Sequence, residues 1–485
     1  MSDKKLSSGN IIINLIWKFM ERISVQAINL IIQILLARKL FPEDFAAVAI
    51  ITVFINIATI FVQSGFGTAL IQKAEIDELD SSSIFYFSIS ASFILYIILF
   101  FAAPYVADFY HQDILKNLLR AEAIILVFGA FNTVQQAILA RNLEFKKNFK
   151  ASLLGCIASG ITGVGLAYAG AGIWSLAIST IVNNFVLTVV LWFSVRWRPK
   201  LIFSLKRVKT LFSFSWKLVC SSLVSVIYTN VRTLIIGKAF KSDTLGYYNR
   251  GDMLGSSLMN GLTGAINAVM LPVLSTKQDK IDEMKKMLRR TMSLNCFVIF
   301  PVMFGLVAVS KPLILILFTD KWLNAVPFMQ LVCIAYAFYP MHSANLQAIN
   351  ALGRSDVALK LEVIKRIIGL CLIGLSFPFG VYAIVGSEIL FSLVATIVNG
   401  FPNKYLINYS IKEQWRDIIP YLILAVIMSI LVYSLSLILN IPNILLLIIQ
   451  IIIGIMIYII GCHILKLDAY TYMLNKIKSV LLSRK

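Results

Sequence analysis

Five basic side chains stand inside long apolar stretches: Lys18, Arg22, Lys217, Arg232 and Arg250. Lipid penalises an ionised group by several kcal/mol at bilayer depth, so such residues face a cavity or a partner by default. Lysine supplies a compact charge and arginine a planar fork of paired donors, a combination suited to phosphate and diphosphate. Lys18 and Arg22 are four apart and share one helical face, with Glu21 beside them. In "LGYYNRGDML" (245–254), Arg250 and Asp252 are two apart, so on a helix they point in different directions and cannot simply neutralise each other. The five cations form the expected substrate-binding set. Glu21, Asp252 and Glu388 are the carboxylates available for ion coupling. Asn14, Gln26, Tyr228, Asn230 and Asn260 are the polar groups expected to meet sugar hydroxyls.

The structural alternative is that these charges form ion pairs between helices or snorkel to an interface. It suffices for Lys116 and Arg120, which fall in the first turns of their span. A cationic cargo would call for the opposite sign of charge.

Other chemistry is not encoded in a recognisable form. Neither GxxxxGK[ST] nor GxGxxG occurs, which removes the usual phosphate cradles of an ATP-driven pump. The three histidines are dispersed, and the six cysteines lie singly in apolar segments without zinc or redox spacing. No metal, cofactor or catalytic residue is expected, and the chain is read as a non-enzyme.

The elements that must position these residues follow from composition. Of 485 residues, 59% are hydrophobic and 14% charged, with a mean hydropathy of +0.84. A soluble chain averages about a quarter charged. The fold class expected is an all-α polytopic membrane protein. About 20 apolar residues cross a bilayer, and that length marks about fourteen spans: 11–37, 42–71, 82–107, 114–140, 149–169, 172–195, 210–239, 244–275, 289–310, 323–351, 357–377, 380–401, 417–439 and 442–464. The first ten residues are polar and the apolar run after them is too long for a signal peptide.

With both termini in the cytoplasm, the inner connections hold 31 Lys and Arg and the outer ones 6. That positive-inside bias fixes the orientation. It also accounts for the net charge of +20 without nucleic acid, since a basic face lies against anionic lipid. The tail 465–485 has helical apolar spacing with basic residues between, which suits the inner membrane surface.

Three echoes mark an internal repeat. Trp17-Lys18 answers Trp216-Lys217, Gln136-Ala137-Ile138 answers Gln347-Ala348-Ile349, and Gly172-Ile173-Trp174 answers Gly380-Val381-Tyr382. The offsets are about 199, 211 and 208 residues, or six spans. An even number of spans per copy gives parallel repeats. The expected organisation is an N-terminal lobe (1–195, spans 1–6), a basic cytoplasmic linker (196–209), a C-terminal lobe (210–408, spans 7–12), two extra spans (409–464) and a basic tail. Substrate is expected between the lobes, with alternating access. Gly251 and Gly255 form a small-xxx-small pair suited to close helix contact.

From residue 245 onward the chain resembles a known family. Gly246-Tyr247-Tyr248-Asn249-Arg250-Gly251, Leu271-Pro272-Val273-Leu274-Ser275 and Gln278-Asp279 carry the resemblance, with "LARKLFPEDFAAVAI" (36–50), "SGFGTALIQK" (64–73) and Gln136 to Phe145. They are similar to the Wzx/WzxC/TuaB-like polysaccharide transporters of the multidrug/oligosaccharidyl-lipid/polysaccharide exporter (MOP) superfamily. The likeness runs over essentially all 485 residues. One departure is Lys280, where relatives often have a second acidic residue.

The resemblance implies two lobes around a cationic cavity. It implies a flippase for undecaprenyl-diphosphate-linked oligosaccharide, such as an O-antigen, capsule or exopolysaccharide repeat unit. The implied setting is the bacterial inner membrane; the implied partners are that polyprenyl-linked substrate, membrane lipids and possible glycan polymerases or glycosyltransferases. A lipid II flippase and a cation-coupled multidrug antiporter are the alternatives within the superfamily. A membrane enzyme would want a large outer loop, and every outer connection is short.

Overall fold

The computed structural model describes the backbone of residues 8–73 and 75–482, and side chains in that range except 8–16, 18–19, 64–66, 214, 264–269, 271–273, 477–478 and 480–482. Every described element is helical. The chain divides into two compact units, Met1–Gly246 and Tyr247–Lys485.

The first unit holds α1 (Ser8–Lys39), α2 (Pro42–Gln72), α3 (Glu78–Tyr110), α4 (Ile114–Arg141), α5 (Phe145–Tyr168), α6 (Trp174–Ser194) and α7 (Leu205–Ala239). Pro42 opens α2, where its missing N–H costs nothing. A π turn interrupts α2 at Ile60–Ser64. Asp77 caps α3 by accepting from the Asp80 N–H at 2.6 Å. Glycines let α5 approach its neighbours: a Cβ on Gly163 would stand 2.8 Å from Ser179 of α6, and one on Gly160 2.7 Å from Ile32 of α1. The linker 196–209 is pinned rather than loose, because Lys200 and Ser204 donate backbone N–H groups to Ser82 and Ser83 of α3 at 3.1 and 2.9 Å.

The boundary between units falls inside α8 (Ser242–Ser275). α7 packs on α2 and α3. Gly246 lies against the Pro42 backbone so closely that an added Cβ would overlap its carbonyl.

The second unit holds the rest of α8, then α9 (Ile281–Phe318), α10 (Asp320–Ala351), α11 (Ser355–Ser376), α12 (Val381–Leu406), α13 (Ile411–Ile438), α14 (Asn443–Ile464) and α15 (Asp468–Leu482). α9 packs on α10, α13 and α14. Ser410 caps α13 reciprocally with Glu413. Gly251 seats α8 on α10, since a Cβ there would stand 2.6 Å from the Met329 nitrogen. Gly255 follows one turn on, 3.1 Å from the Cys333 sulfur by the same measure. The pair serves close helix contact, as its spacing predicted.

Among the described residues twelve helices are long and apolar enough to cross a membrane. The sequence predicted about fourteen. The other two expected spans are present as the helices α8 and α11: α11 carries too many charges to qualify on those terms, and part of α8 lies outside the described side chains. α11 carries Lys360, Glu362, Lys365 and Arg366 within seven residues.

Ion pairs tie the turn between the second and third helices of each repeat. In the first unit Lys73 pairs with Asp80, and Arg207 reaches Asp77 and Asp80 at 3.1 and 3.6 Å. In the second, Lys277 and Lys280 hold Glu283 at 2.6 and 3.1 Å. Lys73 and Lys277 are 204 residues apart, a further echo of the repeat.

Candidate functional site

Within the first unit, α1 and α7 carry the expected cations. Glu21 faces α5, where its Oε1 accepts from Asn148 at 2.8 Å and Ser152 at 3.4 Å. That fixes the roll of α1 and leaves Arg22 and Gln26 on exposed positions four residues apart. The side chains of Asn14 and Lys18 lie outside the described residues. Asn29 turns toward α5, its Oδ1 lying 3.3 Å from the Cys156 sulfur.

On α7, Lys217 is exposed, Tyr228 half-buried and Arg232 buried at 7% exposure. Fifteen residues of helix place Arg232 about 22 Å along the axis from Lys217 and about 60° around it. Asn230 is committed elsewhere: its amide donates to the Val226 carbonyl at 2.8 Å, on its own helix.

Spacing along these two helices shows what the separate residues did not. α7 has Lys217, Ser221, Ser225, Tyr228 and Arg232 at successive steps of four, four, three and four. α1 has Lys18, Arg22, Gln26, Asn29 and Gln33 at the same steps, each 199 residues earlier. Each series is a polar stripe along one side of its helix, with further polar residues such as Glu21 and Asn230 on other sides. Asn29, Gln33, Ser221 and Ser225 were missed because each is unremarkable alone. The common offset was the signal that could have found them.

Within the second unit, Arg250 is buried at 6% exposure. Its guanidinium lies 5.7 Å from the Trp322 ring centroid, and its Nη1 is 3.1 Å from the Met253 sulfur. Tyr247 meets the same indole edge-on, with centroids 6.2 Å apart. Asp252 accepts from the Tyr336 hydroxyl at 2.8 Å. The two charges two residues apart thus address different neighbours, as helical geometry predicted. Beside Arg250, the Asn249 amide nitrogen is buried without a hydrogen-bond acceptor among the described residues. Glu388 on α12 is half-buried and Asn260 is exposed on α8.

Each unit by itself offers cations and polar groups of differing burial, the means to contact phosphate oxygens and hydroxyls. Among the described residues no cluster of three or more His, Cys, Asp or Glu could hold a metal ion. Glu122, 1% exposed on α4, has a carboxylate oxygen with no hydrogen-bond partner among the described residues.

Comparison with known proteins follows the same lines. The family described as "Polysaccharide biosynthesis protein" matches residues 35–327. The teichuronic acid biosynthesis protein TuaB of Bacillus subtilis (strain 168) is 23% identical over 384 residues, covering 78% of this chain and 79% of that one. The lipopolysaccharide biosynthesis protein WzxC of Escherichia coli (strain K12) is 23% identical over 357 residues, covering 72% and 71%. Among solved structures, the lipid II flippase MurJ in an inward closed conformation superposes with a TM-score of 0.75 at 17% identity, covering 94% of this chain and 98% of that one. An inward-facing multidrug resistance MATE transporter of the MOP superfamily superposes with a TM-score of 0.60 at 15% identity, covering 81% and 99%. The fold is that of MOP transporters, as the resemblance implied.

Proposed function

The chain belongs to the polysaccharide biosynthesis protein family, and we propose that it is a flippase for polyprenyl-diphosphate-linked oligosaccharide. The observation that carries this reading is the pair of polar stripes on α1 and α7, each opening on a lysine and repeated at one offset. A phosphorylated headgroup meets Lys18, Arg22 and Lys217 first. Arg232 in the first unit and Arg250 in the second are each a buried guanidinium able to bind phosphate oxygens with paired donors. Gln26, Asn29, Gln33, Tyr228 and Asn249 supply hydrogen bonds to sugar hydroxyls, while the polyprenyl tail stays in lipid. Asp252 and Glu388 are the carboxylates placed to couple an ion.

Transport proceeds by alternating access, with no covalent step and no enzymatic activity. An inside-negative potential favours export of an anion by about 2.3 kcal/mol per charge per 100 mV. The site is the bacterial inner membrane with both termini cytoplasmic, where polymerases or glycosyltransferases would take the product. The names of TuaB and WzxC support a surface-polysaccharide cargo. The likeness to MurJ and MATE proteins supports the fold and leaves the cargo to chemistry.

The test is removal of the protein from its own cell. Lipid-linked oligosaccharide should accumulate on the inner leaflet while surface glycan disappears. Accumulated lipid II instead would assign the peptidoglycan cargo, and altered drug resistance with normal glycan would assign an antiporter.

A further inference from the structure

The C-terminal helix α15 takes no part in the transport reading, yet it roofs a cavity within the second unit. That cavity, about 920 Å³, lies among α9, α13, the end of α14 and α15. Its wall carries Lys286, Arg289, Arg290 and Lys466 against Asp417 and Asp468. Asp417 is already occupied: it takes Arg289 at 2.5 Å and the Tyr409 hydroxyl at 2.8 Å. Among the described residues no carboxylate lies within ion-pairing distance of Lys286, Arg290 or Lys466. Arg290 instead rests over Tyr472, 3.9 Å from the ring centroid. Three cations thus share one cavity with only Asp468 uncommitted among its carboxylates.

The roof is fixed in place. The Ala469 N–H donates to the Tyr421 hydroxyl of α13 at 3.0 Å. Lys466 ends α14 in the left-handed region, at φ 49°. Glycine adopts that conformation more easily, so the turn carries a lysine where backbone geometry alone would favour none.

A second cavity of about 480 Å³ continues along the same helices. Its lining is apolar apart from Gln450 and Tyr458, and includes Pro301, Val309, Met428 and Ile455. The two cavities meet at one aromatic cluster. Phe297 lies 5.7 Å from Tyr458 in the apolar groove, and 6.4 and 6.5 Å from Tyr421 and Tyr470 in the basic pocket.

A basic pocket joined end to end with an apolar groove matches an amphiphile with an anionic head. We propose that this pocket binds the phosphate of an anionic membrane lipid, whose tail lies along the groove, and that α15 closes over the headgroup. The site is made wholly by residues 286–475 and is separate from the stripes on α1 and α7.

The experiment is native mass spectrometry of the purified full-length protein with phosphatidylglycerol, phosphatidylcholine or pyrophosphate. The variants are the triple change Lys286→Gln, Arg290→Gln, Lys466→Gln; the charge-preserving pair Lys286→Arg, Lys466→Arg; and Gly305→Leu, which narrows the groove. A basic residue near an anionic lipid surface contributes about a factor of five, so the triple variant should lose about a hundredfold in phosphatidylglycerol affinity. The charge-preserving pair should retain it, and Gly305→Leu should weaken lipid binding with all charges in place. Equal retention of phosphatidylglycerol and phosphatidylcholine overturns the proposal, as does a triple variant that binds phosphatidylglycerol like the parent. Pyrophosphate binding that phosphatidylglycerol does not displace overturns the lipid assignment in favour of a soluble phosphate. Lipid retention is read without any transport, so these outcomes are independent of the flippase reading.

Discussion

Tyr336 donates to Asp252 at 2.8 Å, while Arg250, two residues before Asp252 on the same helix, turns toward Trp322. The helix therefore presents a hydrogen-bonded carboxylate and an aromatic-backed guanidinium to two different neighbours. Removing the phenol with Tyr336→Phe leaves Asp252 short of one donor, at a cost of about 1–3 kcal/mol. Glycan export should fall while the protein remains in the membrane, measured by surface glycan against immunoblotted abundance. Export at the parental rate would detach Tyr336 from the site.

Arg250→Ala and Arg22→Ala should each abolish surface glycan without loss of membrane protein. Arg250→Lys should not restore it, because an ammonium lacks the planar fork that lies beside Trp322. Normal glycan from both alanine variants would defeat the site assignment.

The glycines of α8 make a prediction about stability alone. An added Cβ at Gly251 would stand 2.6 Å from a backbone nitrogen, whereas Gly261 has nothing within 4 Å. Gly251→Ala should destabilise by about 1–3 kcal/mol through overpacking. Gly261→Ala should be neutral, or stabilising by about 0.5–1 kcal/mol, since alanine is the better helix former. Thermal melting in detergent separates them, and equal melting points would refute the close contact.

At the turn before α3, the hydrogen bond from the Asp80 backbone holds the Asp77 carboxyl below its ordinary value of 3.8, aided by Arg207 and Lys73. A depressed acid contributes stability in full above its unfolded value and loses it as pH falls through the folded one. The parent should therefore melt progressively lower as pH drops below about 4, the ordinary aspartate value. Asp77→Asn should flatten that part of the profile. An unchanged slope would show that the cap is energetically silent.

Much of this was legible in the sequence because lipid enforces one rule over long stretches. The hydropathy of α3, α9 and α14 leaves little else for them to be, and the Trp-Lys echo announced the repeat before any coordinates. Glu21 and Asn230 illustrate the limit. Both are polar residues on spanning helices, yet one bonds α5 and the other its own backbone. Their partners depend on helix roll, which periodicity leaves undetermined when polar residues occupy two sides. α11 was visible as a helix but sits below the hydropathy of its neighbours, because charges interrupt it. The basic pocket was invisible for another reason: Lys286, Asp417 and Lys466 are far apart in the chain, and only the packing of α9, α13 and α14 gathers them.

The π turn in α2 has a consequence for insertions and deletions. It accommodates one residue more than regular winding would. Excising a single position between Ile60 and Ser64 would let the coil run true and leave the turns after it facing as they do now. Ala69 and Leu70, now 2% and 1% exposed, would keep their seats. The same deletion in the regular turns before Ile60 would instead swing everything downstream by about 100°.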